Sequence, residues 1–312
     1  MSVPMMKTET PVRNRVETKR EGPKLTVKDF KGKVDPDWCP GCGDFGLLAA
    51  LKQALVELAL QPHEVLTVSG IGCSSNLPGY VNAYGMHTLH GRAVAVATGA
   101  QLANHSLKVI VTGGDGDGYG IGGNLFIHCM RRNYDLTYIV MNNEIYGLTT
   151  GQCSPTSLKG AKTKSTPFGS VENPLNPLAL AIAGGGTYVA RGFSGNQKQL
   201  VELIKGGIQH RGFALIDVFS PCVTYNKDQT YQFFRPRVKD LAEMKHDPTN
   251  FHAAMDRAYQ WDDTIPIGLF WKRTDLPALD QLEPVLEQGG PLAHRPLGIA
   301  PETAKALVAE LM

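Results

Sequence analysis

The run Gly113-Gly114-Asp115-Gly116-Asp117-Gly118 lies between a β-branched stretch, 108–112, and helical apolar spacing over 121–132. Glycines let a backbone approach a phosphate closely, and a helix N-terminus favours an anion. Asp115 and Asp117 oppose that picture alone, because a carboxylate repels a diphosphate. A hard divalent cation between them reverses the sign. The next predicted strand, 136–141, ends on Asn142-Asn143. In open α/β sheets ligands sit at such carboxyl ends. Mg²⁺ takes oxygen ligands in an octahedron. The Asp115 carboxylate, the Asn143 side-chain carbonyl, a nearby backbone carbonyl and two phosphate oxygens would supply them. A lone Gly-Asp-Gly is often only an acidic turn; the Asn pair on the following strand makes the pattern specific. Glu144, inside the same turn, reads as lying on the phosphate side.

The six cysteines are the second candidate chemistry. Cys39-Pro40-Gly41-Cys42-Gly43 is a tight turn with two thiols. Cys73 follows one strand in Gly70-Ile71-Gly72-Cys73-Ser74-Ser75, and Cys222 follows another in Ser220-Pro221-Cys222. Four thiolates from such loops suit a [4Fe–4S] cluster or structural zinc, and spacing alone leaves both open. Cys129 falls mid-helix and reads as core. Cys153 reads as a loop residue. A disulfide framework is not expected, since no secretory signal is visible and a cytoplasmic location follows.

These residues need a frame. Predicted strands at 65–68, 108–112, 136–141, 187–190 and 214–219 alternate with helical spacing, as over 45–60 (FGLLAALKQALVELAL). The expected fold is α/β, a doubly wound and mainly parallel sheet with helices on both faces. The chain divides into an N-terminal arm, 1–35; a binding domain, 36–230; and a C-terminal extension, 231–312, with one strand-like run at 265–271. Residues 151–177 read as a long loop rich in Ser, Thr, Lys and Pro. Hydrophobic residues at 42% and charged residues at 19% fit a globular chain. The net charge of +2, without a basic stripe, argues against nucleic acid as a partner. No stretch approaches the roughly 20 apolar residues of a membrane span.

The order strand, Gly-Asp-Gly, helix, strand, Asn-Asn resembles the thiamine diphosphate enzymes. With the cysteines, the sequence resembles the β subunit of 2-oxoacid:ferredoxin oxidoreductases. The resemblance rests on 38–44 (WCPGCGD), 70–75 (GIGCSS), 87–92 (HTLHGR), 114–124 (GDGDGYGIGGN), Arg131-Arg132-Asn133, Asn142-Asn143, and Tyr146-Gly147-Leu148-Thr149 with Gly151-Gln152. It covers residues 35 to 225.

That resemblance implies thiamine diphosphate, Mg²⁺ held by Asp115, Asn143 and the Ile145 carbonyl, and a [4Fe–4S] cluster on Cys39, Cys42, Cys73 and Cys222. It implies cofactor contacts at Ile71, Gly72, Cys73, Ser74, His90, Gly114, Asp115, Gly116, Asp117, Asn143, Ile145, Tyr146, Gly147, Leu148 and Thr149. His87 is as much a structural hydrogen-bonder as a site residue, and Arg131 and Arg132 read as a helix cap. The activity implied is oxidative decarboxylation of a 2-oxoacid, with coenzyme A taking the acyl group and ferredoxin the electrons. The glutamate that activates thiamine is expected on an α partner, in an (αβ)2 assembly. The stretch 73–80 (CSSNLPGY) is closer to the 2-oxoglutarate members, with Asn76 a candidate substrate contact. The rival readings are a non-oxidative thiamine-dependent decarboxylase subunit with a zinc site, and a non-catalytic scaffold that kept the fold.

Overall fold

A computed structural model describes residues 24–296 and 298–310. Most of the expected N-terminal arm, residues 1–23, lies outside the described residues. The strands are β1 (Val65–Ser69), β2 (Tyr84–His87), β3 (Lys108–Gly114), β4 (Leu136–Asn142), β5 (Ile145–Tyr146), β6 (Gln152–Cys153), β7 (Tyr188–Phe193), β8 (Phe213–Phe219), β9 (Val238–Asp240) and β10 (Ile265–Lys272). The main helices are α1 (Gly43–Glu57), α2 (Leu77–Tyr80), α3 (Ala93–Ala103), α4 (Gly123–Arg132), α5 (Pro177–Ala183), α6 (Gln197–Gln209), α7 (Tyr231–Phe234) and α8 (Phe251–Tyr259).

Eight strands form one sheet in the order β2-β1-β3-β4-β8-β7-β10-β9. The first six run parallel, and β10 meets β7 antiparallel. The expected α/β fold, doubly wound and mainly parallel, is therefore the observed one. Alternate strand residues serve opposite faces. Ile110, Ile139, Met141, Ile216 and Val218 join α1 and α6 in one core. Val109, Val111, Tyr138, Val140 and Leu215 join α3, α4, α5 and α8 in the other. Both faces are covered, which is why β4 and β8 are buried at every position.

Three differences from the sequence reading matter. The glycine run belongs to regular elements: β3 continues through Gly114 and the chain enters a wide π-helical turn, Gly116–Ile121, before α4. The Gly122 amide donates to the Asp117 carbonyl five residues back, at 2.9 Å. Such a wide turn suits a chain with little side-chain bulk, and Gly116, Gly118 and Gly120 supply that. The expected loop 151–177 contains β6 and ends as α5 begins. The C-terminal extension, read with one strand-like run, contributes two strands, since β10 and β9 complete the edge of the sheet and α8 packs on α5. Period-2 patterning cannot reveal β2, whose residues are all exposed at the opposite edge.

The amino-end side of the sheet is held by buried polar groups. The Thr187 hydroxyl donates to Asn133 Oδ1 at 2.8 Å, and His210 Nε2 lies 2.7 Å from the same hydroxyl. Burial, with the charges of Lys272 and Arg211, pushes His210 down from 6.5 to about 4. A histidine depressed by folding takes up its proton more readily when unfolded. Its contribution is complete above the unfolded value and is lost as pH falls toward the folded one. Wild-type protein should lose about 3 kcal/mol from this group between pH 6.5 and about 4. His210→Gln should flatten that part of a urea-midpoint profile; an unchanged slope would exclude His210 as the cause.

Candidate functional site

Every candidate cofactor contact named from sequence lines one open cleft of about 500 Å³ beside the ends of β1, β3 and β4. The same wall includes Asp44 and Met141, which sequence analysis did not assign. Asp115 opens the π-helical turn and is 1% exposed. Its Oδ2 accepts from the Thr156 hydroxyl at 2.7 Å and its Oδ1 from the Asn143 amide at 3.4 Å. Burial pushes this carboxyl up to about 6, while the Ser154 and Thr156 hydroxyls pull it back. A buried acid whose hydrogen-bond partners are dipoles is a fitting cation ligand. Asn143 bends the turn by accepting from the Ile145 amide at 3.1 Å. The Tyr146 hydroxyl donates to the Gly116 carbonyl at 3.1 Å, and a Cβ on Gly116 would overlap the Tyr146 ring. Gly116 is thus required by close approach.

Asp117 has a different part from Asp115. Its Oδ1 accepts from the Gly91 amide at 2.7 Å and the Ile71 amide at 3.0 Å, with His90 Nδ1 at 3.0 Å. Burial pushes this carboxyl up, against those amides and the charges of His90 and Arg92. Asp117 ties the 70–72 and 90–92 loops to the π-helical turn. His87 is structural here: its Nδ1 lies 2.9 Å from the Ser69 hydroxyl. Asn76 is not brought to the cleft. Its exposed side chain donates to Asp37 at 3.4 Å, and it is absent from the cleft lining.

Glu144 corrects the sequence reading. Its backbone is left-handed, with φ of 58°, and its carbonyl is held by the Ser157 hydroxyl at 2.5 Å. The side chain does not line the cleft and instead lines a second cavity behind the turn. Thr156 was also missed. It lies 41 residues beyond Asp115 in the supposed loop, and no local pattern announces it.

The three cysteine loops dock on one another. Cys42 caps the amino end of α1, and the Gly43 amide donates to the Pro221 carbonyl at 3.1 Å. The Ser220 hydroxyl donates to Asp44 at 2.5 Å, and the Trp38 indole to the Cys73 carbonyl at 2.7 Å. A Cβ on Gly147 would stand 3.8 Å from Cys73 Sγ and 3.9 Å from Cys222 Sγ. The thiols also feel one another. Burial, Asp44 and the neighbouring Cys222 and Cys73 push Cys42 up, while Cys73 rises to about 11 for like reasons, with Cys39 among its neighbours. A cationic metal centre relieves that repulsion, so the donor set fits one. Among the described residues, no three His, Cys, Asp or Glu side chains converge as a single-ion site. Cys129 is buried in α4, and Cys153 Sγ sits 3.4 Å from the Thr166 hydroxyl.

The Asp117 tie makes a stability prediction. Asp117→Ala leaves the buried Gly91 amide and the part-buried Ile71 amide without an acceptor and should cost about 2–4 kcal/mol. Asp117→Asn keeps an acceptor oxygen and should cost clearly less in urea denaturation. Equal losses would show that the tie is not hydrogen-bonded through Oδ1.

Known proteins share this arrangement. The C-terminal TPP binding domain of thiamine pyrophosphate enzymes matches residues 70–218, and the C-terminal family of the pyruvate ferredoxin oxidoreductase beta subunit matches 222–288. A "2-oxoacid:ferredoxin oxidoreductase 1, subunit beta" of Aeropyrum pernix is 46% identical over 275 residues, covering 85% of this chain and 86% of that one. A "2-oxoglutarate synthase subunit KorB" of Methanocaldococcus jannaschii is 50% identical over 188 residues, covering 60% and 70%. A solved structure, "2-oxoglutarate:ferredoxin oxidoreductase from Magnetococcus marinus with 2-oxoglutarate, coenzyme A and succinyl-CoA bound", aligns with a TM-score of 0.86 at 44% identity, covering 94% of this chain and 99% of its counterpart. With the cleft, the thiol set and the sheet already in place, these likenesses establish that the chain belongs to the β subunits of the 2-oxoacid:ferredoxin oxidoreductases.

Proposed function

We propose that this chain is the cofactor-binding β subunit of a coenzyme A-dependent enzyme that oxidises 2-oxoglutarate to succinyl-CoA and CO₂, delivering electrons to ferredoxin. One observation carries the reading. Cys73 lines the cleft that holds Asp115 and Asn143, and its sulfur also stands with Cys222 beside Gly147. A cofactor in that cleft and a cluster on the thiols would be neighbours. When bound, thiamine diphosphate supplies carbanion chemistry and a [4Fe–4S] cluster accepts single electrons.

The chain's own residues do the holding. Asp115, Asn143 and the Ile145 carbonyl are the proposed Mg²⁺ ligands, and Cys39, Cys42, Cys73 and Cys222 the proposed cluster ligands. Gly116 leaves room for Tyr146, while Asp117 fixes the loops carrying Ile71 and His90. Glu144 faces away from the cleft, and the cleft's carboxylates Asp44, Asp115 and Asp117 already accept hydrogen bonds. This supports an activating glutamate on an α partner; an (αβ)2 assembly in the cytoplasm is part of the same proposal. The 2-oxoglutarate assignment is supported by the names of the KorB relatives and of the Magnetococcus marinus structure. Among the described residues, no helix is long and apolar enough to cross a membrane.

Thr156 should act as a positioning residue for the metal. Thr156→Val removes the hydroxyl that fixes Asp115, and Mg²⁺-dependent binding of thiamine diphosphate should weaken about tenfold. Thr156→Ser should restore most of it in calorimetric titrations. A valine variant with unchanged Mg²⁺ requirement would remove Thr156 from the metal's support.

The complex purified without oxygen should contain about four iron and four sulfide per β chain. It should show a higher kcat/KM for 2-oxoglutarate than for pyruvate. A colourless, iron-free complex that releases an aldehyde would replace the redox reading with the zinc-containing decarboxylase. A preference for pyruvate would reject the substrate assignment alone.

A further inference from the structure

Residues 158–171 (LKGAKTKSTPFGSV) form a loop that holds its own shape. The Gly160 amide donates to the Ser170 carbonyl at 2.7 Å, and the Ser170 amide to the Ala161 carbonyl at 2.9 Å. Thr163 and Thr166 exchange amide bonds across the tip, and Cys153 Sγ, at 3.4 Å from the Thr166 hydroxyl, ties the loop to β6. Yet this bonded loop leaves Phe168 98% exposed and Val171 84% exposed. A phenyl ring kept in water forgoes about 1.5–3 kcal/mol of burial. The loop also carries Lys159, Lys162 and Lys164 and no acid. None of the three lysines makes an ion pair among the described residues.

The same loop begins and ends at a hole. Leu158 at its start, and Pro174 and Leu175 just past its end, line the cavity of about 740 Å³ behind the Asn142–Glu144 turn. Phe219, Tyr259 and Trp261 make the rest of its apolar wall largely aromatic. The side-chain amides in the lining are already engaged. Asn142 donates to Asp217 at 3.1 Å and accepts from the Glu144 amide and the Thr156 hydroxyl. Asn176 donates to the Ala258 carbonyl at 2.8 Å and caps α5. The cavity therefore suits an apolar ring. The chain beside Tyr259 and Trp261 is acidic: Asp256, Asp262 and Asp263 are exposed and make no ion pair among the described residues. Arg257, the one cation of 256–263, is bonded to Gln260 at 2.7 Å.

We propose that two copies of this chain associate through this pair of features, each inserting Phe168 into the other's cavity. Phe168 does not fill its own cavity, since its ring is exposed. A two-fold interface needs one patch that is complementary to itself, and this chain carries both the ring and the aromatic hole, joined by one loop. Charge agrees with shape: the lysines of one loop would approach Asp256, Asp262 and Asp263 of the second copy. A small apolar molecule would use the hole but leave the ring and the lysines uncovered. The inference deepens the proposed (αβ)2 assembly, and rests on it, by naming a contact between its two β chains.

The test uses the assembled complex, with sedimentation over a dilution series giving its dissociation constant. Phe168→Asp alters an exposed side chain and should weaken association of the two halves at least about thirtyfold, as loss of an aromatic anchor predicts. Tyr259→Ala, also at an exposed position, should weaken it from the cavity side. The double variant should lose less than the two losses combined, because both remove one contact. Phe168→p-benzoylphenylalanine, irradiated in the complex, should give a β–β band whose crosslinked peptide contains residues 258–261. A wild-type complex with the mass of αβ overturns the assembly and the contact together. An (αβ)2 mass with dissociation unchanged in both single variants, no β–β band, or a crosslink to the α chain instead overturns the contact and leaves the assembly standing.

Discussion

Asp115 is an acid buried to 1% exposure at the end of a parallel sheet, held by a hydroxyl and an amide. Much of the surrounding architecture follows from keeping that carboxylate there. The chain must turn from β3 into α4 without side-chain bulk, which the glycines of the π-helical turn permit. The neighbouring strand must supply an amide and an oxygen from Asn143. A hydroxyl must come from outside the two elements, and the 151–177 segment folds back to bring Thr156. Behind it, a polar layer continues through Asn142 to Asp217, which also accepts from Tyr119 at 2.9 Å and pairs with Arg191. Buried polar layers of this kind are stable only when their members are satisfied.

The thiols obey a related constraint. Sulfurs that raise one another's pKa are held close by bonds that do not involve sulfur: Gly43 to Pro221, Ser220 to Asp44, Trp38 to Cys73. Asp44 belongs to both regions, since it lines the cleft and clamps the Cys222 loop. The cleft and the thiols share one wall near the carboxyl ends of the strands, with Cys73 common to both.

Local pattern carried a large part of this. The β-branched runs of β3 and β4, the Gly-Asp-Gly run and the Asn pair are all adjacent in sequence to what they do. Their placement is therefore legible in residue types: glycine where bulk is forbidden, acid at the start of the π-helical turn, amide where a strand ends. The cysteine loops were recognisable for the same reason, although spacing alone could not choose between zinc and a cluster. Asp44 sat inside a recognised motif, yet its contact with Ser220 spans 176 residues and leaves no local trace.

By itself, then, the sequence determined most of the elements and the parallel α/β plan, because these are encoded by short-range periodicity, while most of the residues around the cleft came from the resemblance to a known family. Only the tertiary structure decided which acid does which job. Asp115 meets a hydroxyl from a distant loop, Asp117 meets the amides of two other loops, and Glu144 is turned out of the site by a single left-handed residue. All three are carboxylates within thirty positions of one another. Their differences arise from partners brought together by chain crossing, and from the direction a side chain takes after a turn, neither of which residue type or spacing records.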